Sequence, residues 1–198
     1  MTEAPFSTDW LRRMVIDTVV APRRAAEEWL SIPLGRDVTW TWVALLSVLN
    51  GILYSLTLPT EAEMGVTMPG FMQSPIILAL AVAGILLLTA WFFATAGRIL
   101  GGVGTFDTVL QASLWLQSLR FVFQLIVVLL SAVVPGIAGI LALVGGIWSI
   151  YILVSFLTVV HRFDGPIKAI GVMLMGVIGV AFAMTFLLTL FGLAPSGR

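Results

Sequence analysis

Five long apolar segments, almost free of charge, alternate with short stretches that hold nearly all the charged residues. They cover residues 40–58, 75–97, 116–134, 136–160 and 169–191. Each segment is close to the roughly 20 residues that an α-helix needs to cross the hydrocarbon core of a bilayer. The pattern predicts an all-α polytopic membrane protein, a bundle of five transmembrane helices with an amphipathic cytoplasmic N-terminal segment.

Composition indicates that lipid is the solvent of most of the chain. Hydrophobic residues make up 60% and charged residues 10%, whereas a soluble domain has about 45–50% and about 25%. The net charge is +0, and no basic and aromatic residues alternate as they do in proteins that bind single-stranded nucleic acid. We therefore expect no nucleic-acid partner. The chain contains no cysteine, which excludes disulfides and thiolate metal sites.

The N-terminal segment, residues 9–30, has the pattern of two short amphipathic helices separated at Pro22. One stripe at helical spacing holds Trp10, Leu11, Met14, Val15, Thr18, Val19, Ala25, Ala26, Trp29 and Leu30. Most charged residues lie off this stripe. Such a segment either lies flat in the headgroup region or packs against the cytoplasmic end of the bundle, and the sequence leaves both open. We divide the chain into a cytoplasmic tail, residues 1–38, and a five-helix bundle, residues 39–198.

The lysines and arginines predict the orientation of the bundle. Nine of the ten fall on one predicted side: Arg12, Arg13, Arg23, Arg24, Arg36, Arg98, Arg120, Arg162 and Lys168. Only Arg198 remains for the other side. Because basic residues concentrate in cytoplasmic segments, we expect a cytoplasmic N-terminus and an external C-terminus. An odd number of crossings agrees with that.

A polar stripe distinguishes the third predicted span. Ser113, Gln117, Arg120, Gln124 and Ser131 approximate one helical face, which in lipid must face protein or water. The candidate functional stripe is Gln117, Arg120 and Gln124, forming a hydrated path or a headgroup site in which Arg120 binds an anion. The structural alternative is hydrogen bonding between helices, with Arg120 snorkelling back to the cytoplasmic surface. The lack of an intramembrane acid partner favours this alternative.

The sequence offers no catalytic or metal-binding constellation. Gly101, Gly102 and Gly104 indicate a turn, and Thr105 is expected to cap the third span. This turn lacks the Gly-Lys-Ser/Thr ending of a phosphate loop. The single histidine, His161, has no evident partner for metal binding or general-base catalysis. We therefore predict a protein that is not an enzyme, with no catalytic residues, no metal and no cofactor.

The layout resembles the Yip1 domain family over nearly the whole chain. The resemblance rests on a Pro-Arg-Arg segment before an acidic and aromatic helix, residues 21–30, on the five crossings, and on the turn that opens the third span. It marks Gly101, Gly102, Gly104, Thr105 and Phe106 as a candidate functional turn. Eukaryotic members are implied to bind Rab-type GTPases and to act in vesicle traffic and membrane shaping. The short tail lacks the Asp-Leu-Tyr-Gly-Pro stretch of those members, so the chain is more similar to compact prokaryotic-type ones, which implies a bacterial inner membrane.

The resulting functional prediction is a non-enzymatic Yip1-like membrane protein that organises protein or lipid partners through its tail and its glycine turn. The alternative is a small transporter or channel that uses the polar stripe of the third span. A membrane enzyme is disfavoured because no catalytic constellation is visible. The partners expected are membrane lipids, a protein bound through the N-terminal tail, and a further copy of the chain.

Overall fold

The computed structural model describes residues 6–57 and 74–190. In these residues it contains seven α-helices: α1 Thr8–Val20, α2 Pro22–Leu30, α3 Arg36–Thr57, α4 Pro75–Ile99, α5 Phe106–Ser131, α6 Pro135–Val160 and α7 Pro166–Leu190. The last five are long and apolar enough to cross a membrane. The predicted all-α bundle with five spans is thus confirmed.

Local sequence explains where the helices begin. Helices α2, α4 and α6 start with a proline in the first turn, where the missing N–H would have no intrahelical partner anyway. Helix α5 starts with a capping box in which the Thr105 hydroxyl accepts from Thr108 N, and Thr105 N donates to the Thr108 hydroxyl at 2.9 Å. The predicted cap at Thr105 is therefore confirmed. Helix α3 begins earlier than its apolar segment, so the predicted division at residue 38 falls in its first turn.

Helix α4 occupies the centre of the bundle, packed against α3, α5 and α7, and α6 packs against α5 and α7. Small residues allow the close approaches. A Cβ at Gly51 of α3 would lie 2.7 Å from the backbone of Pro75 and Ala79 in α4. A Cβ at Gly176 of α7 would overlap the ring of Phe93. The spans therefore lie too close together at these positions to admit a larger residue.

Helices α1 and α2 form a hairpin that packs on one end of the bundle. Helix α2 contacts α5 and α6, and α1 contacts α2. Trp10, Met14 and Thr18 of α1 are buried, which favours the packing alternative for the tail. A second row of α1, made of Leu11, Val15, Ile16, Val19 and Val20, remains exposed. The predicted single stripe is thus divided between the protein and its surroundings.

Candidate functional site at the N-terminal face

We call the end of the bundle that carries α1 and α2 the N-terminal face. The connection from α4 to α5, residues 100–105, and that from α6 to α7, residues 161–165, lie at the same end because alternate spans run in opposite directions. Eight basic residues fall on or beside these segments: Arg12, Arg13, Arg23, Arg24, Arg36, Arg98, Arg162 and Lys168. The N-terminal face therefore unites the tail and both short turns in one charged surface, where the eight basic residues lie beside seven acidic ones: Asp9, Asp17, Glu27, Glu28, Asp37, Asp107 and Asp164.

A cluster of four tryptophans attaches the hairpin to the spans. Trp10 of α1, Trp29 of α2, Trp42 of α3 and Trp115 of α5 each contribute one ring. Trp29 stacks on Trp115 with ring centroids 4.9 Å apart and meets Trp42 edge-on at 5.5 Å. Trp10 lies 6.3 Å from both Trp29 and Trp115. Aromatic residues suit this depth because their amphipathic rings favour the membrane–water interface.

Each indole N–H in the cluster donates a hydrogen bond to a helix other than its own. The acceptors are Glu28 Oε1 for Trp10 at 2.7 Å, Gln111 O for Trp29 at 2.9 Å, Ser118 Oγ for Trp42 at 3.0 Å and Thr18 Oγ1 for Trp115 at 3.0 Å. The Gln111 side chain returns a bond to Trp29 O at 3.0 Å. An Arg13–Glu28 ion pair at 2.8 Å further joins α1 to α2. Buried indoles need such partners, and here the partners fix the hairpin in place.

The sequence pattern did not predict that these four tryptophans meet. Trp10 and Trp29 lie on the amphipathic stripe, whereas Trp42 and Trp115 mark the starts of spans. The signal that could have revealed the cluster is that all four tryptophans share one expected depth in the membrane. All four are expected within a few residues of the same membrane surface.

The glycine turn after α4 follows the Schellman pattern. Gly102 N donates to Gly97 O at 2.8 Å, and Gly101 N donates to Arg98 O at 3.0 Å. Gly101 has φ +82°, a left-handed conformation that glycine adopts without a steric penalty. Gly101 of the candidate turn therefore has a conformational reason to be glycine.

The turn after α6 follows the same pattern with a different residue in the left-handed position. Phe163 N donates to Thr158 O at 2.9 Å, and Arg162 N donates to Val159 O at 3.0 Å. Arg162 has φ 53°, which is unfavourable for a residue with a Cβ. Val103 N donates to His161 O at 3.2 Å and so joins the two turns.

His161 fills the space between the two turns. Its side chain is 1% exposed. A Cβ at Gly97 or Gly104 would overlap the imidazole ring, and one at Gly102 would lie 2.7 Å from His161 Cβ. The glycines therefore let the two turns close around the histidine. No partner for His161 could be recognised in the sequence, because Gly97 and Gly104 contribute space and no functional group.

The environment of His161 favours the neutral ring. Burial lowers the pKa of His161 below 6.5, while the backbone of Phe93 raises it in part. Neither ring nitrogen completes a regular hydrogen bond within the described residues. The Phe163 ring stacks on the imidazole at 5.3 Å, and Lys168 Nζ lies 5.7 Å from the Phe163 centroid. His161 is thus positioned as a packing residue shielded from solvent.

The structure brings all five residues of the candidate functional turn together. Thr105 caps α5, and Phe106, the first residue of that helix, is half-buried against the core. Gly101, Gly102 and Gly104 have the packing and conformational roles described above. Binding of a partner by this turn stays a prediction.

The candidate polar stripe lies apart from the turn, farther along α5. Arg120 is exposed, and its Nη2 donates to the Tyr54 hydroxyl of α3 at 2.6 Å. Tyr54 lies near the far end of α3, so this contact does not carry Arg120 toward the N-terminal face. It differs from the expected snorkelling and provides a hydrogen bond between helices. Gln117 and Gln124 are half-buried.

A cleft of about 360 Å³ opens on the N-terminal face between α2 and the end of α6. Its lining consists of Arg23, Glu27, Thr158, Val159, Arg162 and Phe163. Among the residues in ranges 6–57 and 74–190, no three histidine, aspartate or glutamate side chains are grouped to hold a metal ion. The charged groups that line the cleft are the guanidinium groups of Arg23 and Arg162 and the carboxylate of Glu27.

Comparison with known families identifies one match. The family model of the Yip1 domain matches residues 16–194, which include the C-terminal part of α1, all of α2 and all five spans. No curated protein and no solved structure matches the chain. The match agrees with the resemblance carried by the Pro-Arg-Arg segment, the five crossings and the glycine turn. The chain belongs to the Yip1 domain family.

Proposed function

We propose that this chain is a non-enzymatic integral membrane protein that organises protein or lipid partners at its N-terminal face. The observation that carries the proposal is the docked hairpin. Ala25, Ala26 and Trp29 of α2 are each 0% exposed, so the tail is held in one position on the spans. A fixed tail beside two turns offers partners one preformed charged surface.

We further propose that the N-terminal face is cytoplasmic, in a bacterial inner membrane, with the C-terminus outside. The concentration of basic residues on this face supports the orientation, because lysine and arginine accumulate in cytoplasmic segments. Arg120, counted on that side from the sequence, lies within the span of α5. The other eight basic residues still lie on the N-terminal face, so the excess of lysine and arginine on that side remains.

The burial of His161 supports a non-enzymatic role. A general base must come within hydrogen-bond reach of its substrate, and this ring is enclosed by Gly97, Gly104 and Phe163. The polar stripe gives no specific support for transport, because Arg120 bonds to a neighbouring helix, as expected of a structural contact. Transport is therefore not proposed as a second function.

Photo-crosslinking in living cells tests the proposal. A crosslinking residue replaces Arg24, Val103 or Asp164, which are exposed on the N-terminal face, or Leu129 or Ile140, which are exposed on the spans. The face positions should give adducts of defined mass that the span positions lack. The span positions should capture acyl chains alone. The same adducts at both sets of positions would contradict the proposal.

A further inference from the structure

Helix α1 contacts two spans well inside their ends at the N-terminal face. Trp115 Nε1 of α5 donates to Thr18 Oγ1 at 3.0 Å, and Trp148 Nε1 of α6 donates to Val19 O at 3.0 Å. Trp115 lies nine residues after the start of α5, and Trp148 lies 12 residues before the end of α6. At about 1.5 Å per residue, these positions are about 14 Å and about 18 Å from the helix ends. The end of α1 is therefore bonded to the flank of the spans and not to their ends.

The side chains that hold α1 are those typical of a membrane interface. The Trp10 ring lies 6.3 Å from the Trp115 ring, within the tryptophan cluster. The Trp148 ring packs against Tyr151 with ring centroids 5.4 Å apart. Tryptophan and tyrosine concentrate where the hydrocarbon core meets the headgroups. Both ends of α1 are thus attached at the depth of interfacial aromatic residues.

The outward side of α1 changes from polar to apolar along the helix. Its first half exposes Asp9 and Arg12. In the second half, every exposed side chain is aliphatic: Val15, Ile16, Val19 and Val20. Val20 is 72% exposed, the largest fraction in the row. The apolar part of the exposed row is therefore the part that adjoins Trp148.

The apolar surface of α6 continues onto this row. Around Trp148, α6 exposes Val144, Ile147 and Tyr151 within its candidate span. From residue 152 to residue 160 no residue of α6 is exposed. The bond from Trp148 to Val19 O therefore lies where the exposed surface of the span ends and that of α1 begins. Since the exposed side of a span faces acyl chains, this continuity indicates what covers the row of α1.

We propose that α1 is embedded in the interfacial region of the bilayer, where its exposed row contacts acyl chains. Interfacial helices bury their apolar face about 5–10 Å into the boundary between headgroups and acyl chains. Asp9 and Arg12 lie at the headgroups, and Val19 and Val20 lie deeper. The hairpin is then held from two sides, by the tryptophan cluster and by lipid. This inference goes beyond the proposed function, because it concerns the apolar row of α1 and not the charged surface offered to partners.

Electron paramagnetic resonance of the full-length chain in lipid nanodiscs tests this inference. A nitroxide label is attached to single cysteines introduced at Val15 or Val20 in the row, at Val144 on the span, or at Arg24 or Asp164 on the N-terminal face. All five side chains are exposed, so the label replaces no packed group. Labels at Val15 and Val20 should collide more often with oxygen, which concentrates in lipid, than with a water-soluble nickel chelate, as the label at Val144 does. Labels at Arg24 and Asp164 should show the reverse ratio.

Three results would overturn the inference. The first is an excess of nickel collisions at either row position, which indicates a row open to water and available to a soluble protein. The second is spin–spin broadening at the row that disappears on dilution with unlabelled chain, which indicates that a second copy covers it. The third is an excess of oxygen collisions at all five positions, which indicates no specific immersion of α1. Defined adducts at the face positions in the crosslinking experiment would support the proposed function in each case.

Discussion

At the scale of single residues, two helix ends share one hydrogen-bond pattern but differ in the left-handed residue. Gly101 fits that conformation, whereas Arg162 is strained by its Cβ. We therefore expect Arg162→Gly to stabilise the fold by about 1 kcal/mol, measured as a higher thermal midpoint in detergent. Arg162→Ala is the control, because it removes the charge and keeps the Cβ. An equal gain in both variants would show that charge repulsion, and not backbone strain, limits the turn.

Buried His161 predicts a loss of stability in mild acid. Its pKa is lowered by burial, so the unfolded chain binds a proton more readily than the folded one. Stability is then fully present above about pH 6.5, the pKa of a free histidine, and it decreases as the pH falls toward the lowered folded pKa. Thermal midpoints between pH 7.5 and 5.5 measure this effect.

His161→Gln supplies the matched control for that titration, because the chain has a single histidine. The variant should remove the pH dependence in this window, whatever its absolute stability. A wild type whose midpoint rises as the pH falls would contradict the buried neutral ring.

Because His161 packs directly against Gly97, we expect substitutions at these two positions to have coupled effects on stability. Gly97→Ala should destabilise the protein by about 1–3 kcal/mol, as overpacking does, since the new methyl group overlaps the ring. In a His161→Ala background, the same substitution should cost less because the ring is gone. Gly84→Ala, in the same helix with open space around it, should not destabilise. Additive costs for Gly97→Ala and His161→Ala would contradict the contact.

At the scale of elements, Trp29 connects the N-terminal hairpin to the spans. Trp29→Ala removes a fully buried ring that stacks on Trp115, and such truncations cost about 3–5 kcal/mol. The hairpin should detach, so limited proteolysis should cut within residues 8–30 while the helical signal of the spans persists. Trp40→Ala, at a half-exposed ring, should keep the hairpin protected. Equal protection in both variants would mean that other contacts hold the hairpin.

The elements also show what the sequence could and could not predict. Spans α4 and α6 were located to within a few residues, because a long apolar run needs no tertiary information. The docking of α2 depends on contacts such as Trp29 Nε1 to Gln111 O, which join positions 82 residues apart. Periodicity identifies the apolar face of a helix but not what covers it. For that reason the sequence could not decide whether the tail lies in the headgroup region or packs against the bundle.

The candidate site was predictable to a similar degree. Thr105 was identified as a cap because capping is a local interaction. The role of Gly102 and Gly104 depends on His161, which is distant along the chain and lies in another turn. The partner of Arg120 was likewise missed, because nothing local connects it to Tyr54.

At the scale of the whole molecule, the hairpin and both short turns lie at one end of the bundle, and the connection from α5 to α6 lies at the other. The proposed orientation makes the first of these ends cytoplasmic. Eight basic residues on the N-terminal face support this orientation. Every proposal about partners requires it, because a hairpin on the other side of the membrane could not meet cytoplasmic partners.

Labelling of single cysteines in intact cells and in inverted membrane vesicles tests this claim most directly. The chain has no cysteine of its own, so each introduced thiol reports one position. A membrane-impermeant thiol reagent should label Arg24→Cys, Val103→Cys and Asp164→Cys in inverted vesicles alone, and Val134→Cys in intact cells alone. Labelling of Arg24→Cys from the same side as Val134→Cys would contradict the account.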